Sequence, residues 1–289
     1  MKEKKFAFVL LHYKNIKDTI ECMESIKKLK RQKDAAIIVV DNHTLNKNEI
    51  TKIKEYTDDI ILLKDNVGFA KGNNAGCEYA INNYHPDFLC VMNNDIVIQQ
   101  NNFLEEIEAC YQKTKFDMMG PKIITDDGES VNPFPVYETK EEVEERIRYH
   151  EKLNRIYQSS ILRELLKIYM KVKSIFKKHV PLENGKESKY DIALHGCAII
   201  FSKKYYKKYK DIFYKETFLY HEEEFLNYRK NRDHLISYYD SKLEVFHKEG
   251  SSLNEKFQNN NYKKLIFRNK EVLNSLYLLK EIMDNDKQI

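Results

Sequence analysis

Phe88-Leu89-Cys90-Val91-Met92-Asn93-Asn94-Asp95-Ile96-Val97-Ile98 is the stretch whose reading decides the fold. An apolar run climbs to Asn-Asn-Asp and returns to apolar residues, the pattern of a buried strand that ends in a carboxylate. In open α/β sheets, ligands sit outside the carboxyl ends of the strands. A second acidic tip stands upstream, where Ala36-Ile37-Ile38-Val39-Val40 runs into Asp41-Asn42. Two such tips in one half of the chain predict a single polar site on a mostly parallel sheet.

Outward from these tips, residues 6–11, 36–40, 60–63 and 88–92 read as strands, and 18–29, 50–56, 70–82 and 103–112 as helices. In the first helix Ile20, Met23, Ile26 and Leu29 share one face. Alternating strands and helices imply right-handed crossovers and a parallel sheet. The character changes near Pro121, and Asp126-Asp127-Gly128 with Pro133 and Pro135 reads as a loop. One long helical segment is expected from about 140 to 178. Its second half, Ile161-Leu162-Arg163-Glu164-Leu165-Leu166-Lys167-Ile168-Tyr169-Met170, is amphipathic and basic. It suits an inserted helical pair packed on the domain, or a patch resting on anionic lipid, where each basic residue adds roughly 1 kcal/mol. Residues 192–201 read as a strand, Val245-Phe246-His247 as the end of another, and 262–283 as a final helix.

The 289 residues suffice for one large α/β domain or two small ones. Basic and acidic residues are interspersed and leave a net charge of +4, which is no nucleic-acid signature. The five cysteines form no C-x-x-C pair, which points to reduced thiols in a cytoplasmic protein, without a disulfide framework or a cysteine zinc site. The apolar run at 6–11 is too short for a signal core. No apolar stretch approaches the ~20 residues that span a bilayer, so the expectation is a soluble or peripheral protein.

Several residues carry candidate chemistry. Asn93-Asn94-Asp95 suits Mg²⁺ or Mn²⁺, which take oxygen ligands and use one or two carboxylates beside substrate phosphates; the plain alternative is a strand end. Asp41 can accept from a pyrimidine imide or ribose hydroxyls, or it can close an Asx turn. Asp65-Asn66-Val67-Gly68-Phe69-Ala70-Lys71-Gly72-Asn73-Asn74-Ala75-Gly76 is a glycine-spaced strand-to-helix turn whose amides can face anions. It fits neither the dinucleotide fingerprint nor the P-loop, and its glycines equally suit close helix–sheet packing. Glu222-Glu223-Glu224 reads as a solvated helix start or as the source of a general base. His247 stands at another strand tip.

The ordered set Val39-Val40-Asp41-Asn42, Asn66 to Gly76, Met92-Asn93-Asn94-Asp95, Gly196-Cys197-Ala198, Phe218-Leu219-Tyr220-His221-Glu222-Glu223, His247 and Arg268-Asn269 resembles the family-2 glycosyltransferases of the GT-A fold, in particular the bacterial rhamnosyltransferase-like branch. The resemblance covers residues 6–122 and 192–276. It implies an α/β GT-A (Rossmann-like) mostly parallel mixed sheet flanked by helices. Residues 1–125 would form the nucleotide-sugar half, 126–190 a helical insertion, 191–260 the acceptor and catalytic half, and 261–289 a C-terminal helix.

The function implied is inverting transfer from a UDP- or dTDP-sugar to a hydroxyl of a cell-surface polysaccharide or lipid-linked glycan. Uracil and thymine show Asp41 the same imide edge, so the two donors are not separated. Asp41 matches the acid that contacts the base, and Tyr13, Gly68, Asn73, Asn93, Asn94 and Gly196 join it on the nucleotide-sugar. Asp95 matches the last position of the Asp-x-Asp metal motif, and His247 the late histidine near metal or diphosphate. Glu223 falls at the catalytic base, with Glu222 beside it. Three positions depart from the pattern: Asn93 replaces an Asp, Glu223 replaces the usual Asp, and Asn73 stands where many relatives carry Arg. These departures also suit a non-catalytic nucleotide-sugar-binding or scaffold subunit of a glycan assembly complex. A nucleotidyltransferase ranks lower, because His12-Tyr13-Lys14-Asn15 stands where its glycine-rich basic loop belongs.

Overall fold

The computed structural model describes residues 3–126, 128, 130–159, 161, 187–248 and 261–289. Strands β1 (Phe6–His12), β2 (Ala35–Asp41), β3 (Ile60–Leu62) and β4 (Phe88–Asn93) are parallel, joined by helices α1 (Ile16–Lys27), α2 (Lys47–Lys54) and α3 (Gly68–Tyr84). A two-residue β5 (Ile96–Val97), helix α4 (Phe103–Thr114), strand β6 (Met118–Ile124) and helix α5 (Lys140–Gln158) follow. Then come β7 (Lys189–Tyr190), β8 (Ala198–Ser202), α6 (Lys203–Lys208), α7 (Glu222–Asp233), β9 (Ser237–His247) and α8 (Asn261–Asp284). The strands form one mixed sheet in the order β3-β2-β1-β4-β8-β6-β9-β5, with β7 paired to β9. Its long ladders, β1–β2, β1–β4 and β6–β9, are parallel.

The register explains why the acidic tips meet. His12 pairs with Asp41, Leu11 with Asn93, Met92 with Ala198, and His247 with Ile96. One edge of the sheet therefore gathers the ends of β1, β2, β4 and β9 and the residues leading into β8. Side chains alternate across β1, so Phe6, Phe8 and Leu10 join one apolar core with Met23 and Ile107, while Ala7 and Val9 join another with Cys77 and Leu226. A third cluster holds Val143 and Ile147 of α5, Phe225 of α7 and Val272, Leu276, Leu279 and Ile282 of α8. The five cysteines are free and buried.

Local chemistry sets the helix starts. Asn46 and Glu49 form a capping box on α2, and Thr139 and Glu142 form another on α5. A Cβ on Gly72 would fall 2.5 Å from Leu11, and one on Gly76 2.4 Å from Val9, so the glycines let α3 lie directly on the sheet.

Three expectations change. The strand at 192–201 begins only at Ala198, because His195 N–H donates to Asn132 Oδ1 and Gly196 N–H to Glu223 Oε1, both outside any ladder. The helix expected through 178 ends at Gln158, where Ser159 is extended at φ −96°, ψ 122°; the basic stretch 162–170 lies outside the described residues. Strand β6, not expected, tolerates Pro121 because the β6–β9 register shifts at Pro121/Lys122. Among the described residues, no helix is long and apolar enough to cross a membrane.

Candidate functional site

At the first part of this sheet edge, Asp41 is buried and closes a turn. Its Oδ1 accepts from Thr44 N at 2.8 Å and Leu45 N at 3.2 Å, while Oδ2 accepts only a longer bond from Leu45 N. The Asx turn is therefore present, and Oδ2 keeps acceptor capacity. Asn42 ties this tip to the next loop through Val67 N–H and the Gly68 carbonyl. Tyr13 reaches the same loop at Asn66, and burial raises its pKa against that hydrogen bond. Gly68 has φ +86°, and a Cβ there would lie 2.3 Å from the Phe218 carbonyl, so no side chain fits. Asn73 is buried in α3, donating to Phe69 O at 3.1 Å, with Oδ1 unpartnered.

The second part lies where β4, β8 and β9 end. Asn94 is turned to α1, its Nδ2 donating to Thr19 Oγ1 at 2.9 Å, and Thr19 also meets His12 Nδ1 at 2.7 Å. Asp95 is buried, and its Oδ1 stands 3.2 Å from His247 Nε2. Burial opposes charge on His247, yet Asp95 and the neighbouring Cys197 raise its pKa to about 11. Burial alone would push the Cys197 thiol up, and the charge on His247 beside it works the other way. The thiol favours charge on His195 in turn, but His195 Nδ1 accepts the Cys197 amide at 3.1 Å, which only an unprotonated nitrogen can do. The geometry therefore fixes the neutral tautomer, with the proton on Nε2.

The third part is a cavity of about 740 Å³. Asn93, Gly196 and Cys197 border it on the sheet side, Tyr220 to Glu224 form another wall, and α5 and α8 close it opposite. Tyr220 and His221 both take left-handed conformations, φ 71° and 68°, just before α7. Such conformations cost about 1–2 kcal/mol per residue outside glycine, and here they turn the chain sharply into the three glutamates. Glu223 is half-buried, with Oε1 held by Gly196 N–H at 2.8 Å and no described donor on Oε2. Glu224 is buried and paired with His221 Nδ1 at 2.8 Å. Glu222 is buried with Oε1 unpartnered; that burial, then the charge of Glu223, raises its pKa to about 8.

Folded proteins leave few buried polar groups unbonded. Twelve side-chain atoms are so placed among the described residues, and six belong to residues lining this cavity: Arg146, His150, Tyr220, His221, Glu222 and Glu224. That concentration marks the cavity as the place where a ligand's polar groups would complete the bonding.

A model of the family described as Glycosyl transferase family 2 matches residues 8–178, more than half of the chain. The chain belongs to this family. The Low-salt glycan biosynthesis hexosyltransferase Agl10 of Haloferax volcanii is 24% identical over 136 residues, covering 46% of this chain and 41% of that protein. The chain thus spans about two-fifths of that relative's length. Two solved structures share its fold: S. aureus TarS 1-349 (TM-score 0.54, 14% identity, 98% of this chain and 72% of that one) and TarS 1-349 in complex with UDP (TM-score 0.54, 12% identity, 96% and 71%). The GT-A-like architecture expected from the sequence is the one observed.

In this family-2 chain the fold brings Asp95, His247, Asn93, Gly196 and Glu223 into one neighbourhood, joined by Cys197. Tyr13, Asp41 and Gly68 gather at the adjoining strand ends, whereas the Asn73 and Asn94 side chains bond within the protein. Sequence reasoning did not single out the α5 contribution of Arg146, Tyr149, His150, Leu153 and Tyr157. Their three- and four-residue spacing, a helical stripe of aromatic and basic residues, was the available signal. His195 carries no signal in the sequence, because its role comes from a turn that no local pattern encodes.

Proposed function

We propose that this chain is an inverting glycosyltransferase that moves a hexosyl or rhamnosyl group from a UDP- or dTDP-sugar to a hydroxyl of a cell-surface polysaccharide or lipid-linked glycan. The observation that carries the reading is Glu223, anchored through Oε1 by Gly196 N–H on the wall of the large cavity, beside the strand tips that hold Asn93 and Asp95. The hexosyltransferase name of the H. volcanii relative and the UDP complex of the structural neighbour support the donor class.

Glu223 takes the proton of the acceptor hydroxyl through its open Oε2 as the acceptor oxygen bonds to the anomeric carbon. The bond to the nucleoside diphosphate breaks on the opposite face, so one displacement inverts the centre. Glu222 is a poor base beside it, because burial keeps its carboxyl protonated at neutral pH. Asp41 Oδ2 and Tyr13 would face the pyrimidine and ribose.

A divalent cation fits this site in one respect. Asp95 Oδ1 is buried and stands 3.2 Å from His247 Nε2, close to the ~3 Å between neighbouring ligands of an octahedral ion at about 2.1 Å, and an ion there would take the place of the imidazole's proton. Among the described residues no group of three His, Cys, Asp or Glu side chains converges on a cation. Asp95 and His247 would therefore hold Mg²⁺ or Mn²⁺ together with the donor's phosphates. The ion, when bound, supplies positive charge to the departing diphosphate.

The test is transfer from UDP- and dTDP-sugars to an acceptor extract by Asp95→Ala and Glu223→Gln variants. Each is expected to lower the rate at least about a hundredfold, the usual worth of a general base, while the protein stays folded. Wild-type rates in both variants would overturn the assignment.

A further inference from the structure

The α5–α8 wall of the cavity has a chemistry that sugar transfer alone does not require. Arg146 stacks between two rings, its guanidinium carbon 5.1 Å from the Tyr137 centroid and 5.1 Å from that of Tyr149. Its Nε is buried without a hydrogen-bond partner. Arg268 stands on α8 with its guanidinium 5.6 Å from the Tyr220 ring. Neither arginine forms an ion pair among the described residues, although the salt bridges of this chain otherwise engage many of its exposed basic groups. His150, between them on the same wall, bonds Asn269 through Nδ1 and leaves Nε2 buried and unpartnered.

None of the carboxylates that line the same cavity forms an ion pair with these arginines among the described residues. Glu224 is paired with His221, Glu223 is bonded to Gly196 N–H, and Glu222 is fully enclosed. A sugar ring is neutral and would be served by amides, hydroxyls and aromatic faces. Two stacked guanidiniums with free N–H groups match instead the paired oxygens of a phosphate, which arginine binds in a forked geometry.

We propose that this wall is the acceptor side of the site and that Arg146 and Arg268 hold a phosphate group of the acceptor, while the acceptor's hydroxyl faces Glu223. The proposal rests on the transferase reading. The same phosphate chemistry comes from a phosphodiester within a polymer or from the diphosphate of a lipid-linked glycan. Tyr149 and Leu265, both about half exposed at 49% and 45% and both lining the cavity, add an apolar margin beside the arginines.

The experiment titrates the full chain, first saturated with UDP so that the donor site is filled, with two probes: glycerophosphoglycerol as a phosphodiester and geranyl diphosphate as a lipid diphosphate. Binding is read by calorimetry and by tyrosine fluorescence, which no tryptophan obscures. Saturable binding of either probe is expected, and the tighter one identifies the source. Arg146→Gln and Arg268→Gln should each weaken it about tenfold, with Arg146→Lys falling between, and should leave the UDP affinity unchanged. Arg268 is exposed, so its variant tests the idea even where Arg146→Gln destabilises the fold. The proposal is overturned if neither probe binds the UDP-loaded chain, or if the double glutamine variant binds as the wild type does. If the chain does not bind UDP, the unloaded chain is titrated: arginine-dependent binding of a probe then sustains the anion site while the transferase reading fails.

Discussion

Single residues decide the shape of this site. Gly68 carries φ +86°, and a Cβ there would stand 2.3 Å from the Phe218 carbonyl, which itself accepts Phe69 N–H at 2.8 Å. Gly68→Ala must either strain the backbone or part the loop from 218, so a loss of about 1–3 kcal/mol is expected. Urea unfolding measures it, and a midpoint matching the wild type would show that the loop moves freely. Glu222 gives a second prediction, in pH. Its carboxyl titrates near 4.5 in the unfolded chain and near about 8 in the fold, because burial and the Glu223 charge disfavour ionisation. The folded state therefore holds an extra proton between those values, and stability falls as pH rises through that window, levelling above it. Glu222→Gln removes the titration, so the variant should gain on the wild type steadily from pH 5 to pH 8. Unfolding midpoints that stay a constant distance apart across that range would refute it.

Elements show which parts of the fold were legible and why. Strands β1, β2 and β4 are near-continuous apolar runs buried on both faces, and their tips switch abruptly to Asp41 and Asn93, so composition alone reveals them. Strand β6 was hidden because Gly120-Pro121 reads as a break, and only its partner β9, distant in sequence, supplies the shifted register that accommodates the proline. Helix α7 was legible only as a helix start. It buries Glu222, Glu224, Asn227, Arg229 and Lys230, so its hydrophobic pattern is scrambled by polar groups whose surroundings come from segments distant in sequence. Arg229, for example, is held by Tyr205 Oη at 2.6 Å and the Ile212 carbonyl at 2.8 Å. The candidate site divides the same way: strand-tip acids were visible, but the cavity wall on α5 requires knowing that α5 packs on α8. Leu276 is fully buried in that junction with Val143 and Phe225. Leu276→Ala should cost about 2–5 kcal/mol and raise the acceptor KM more than it changes the affinity for UDP. Equal changes in both would mean that α8 supports the whole domain and not the acceptor wall.

Across the whole molecule, the sheet edge joins groups separated by most of the chain. Asp41, Asn93, Glu223 and His247 lie on or beside four different elements, and each is fixed by pairing or packing before any ligand arrives. A preformed site of this kind binds its ligand in the folded state alone, so occupancy appears as stability. At a hundred times Kd, a ligand that binds only the folded state adds about 2.7 kcal/mol, which is about 5 °C in melting temperature for a domain of this size. UDP, dTDP, GDP and CDP, each with and without Mn²⁺, therefore distinguish the donors in one experiment. A shift with UDP or dTDP and little with GDP is expected, because the proposed contact of Asp41 is with the imide edge of uracil or thymine. The UDP shift should grow with Mn²⁺ and lose that increment in Asp95→Ala, whose remaining shift reports the pyrimidine and ribose contacts. A shift that is independent of both metal and Asp95 would take the cation out of the site, leaving Asp95 and His247 as an ion pair that supports the ends of β4 and β9.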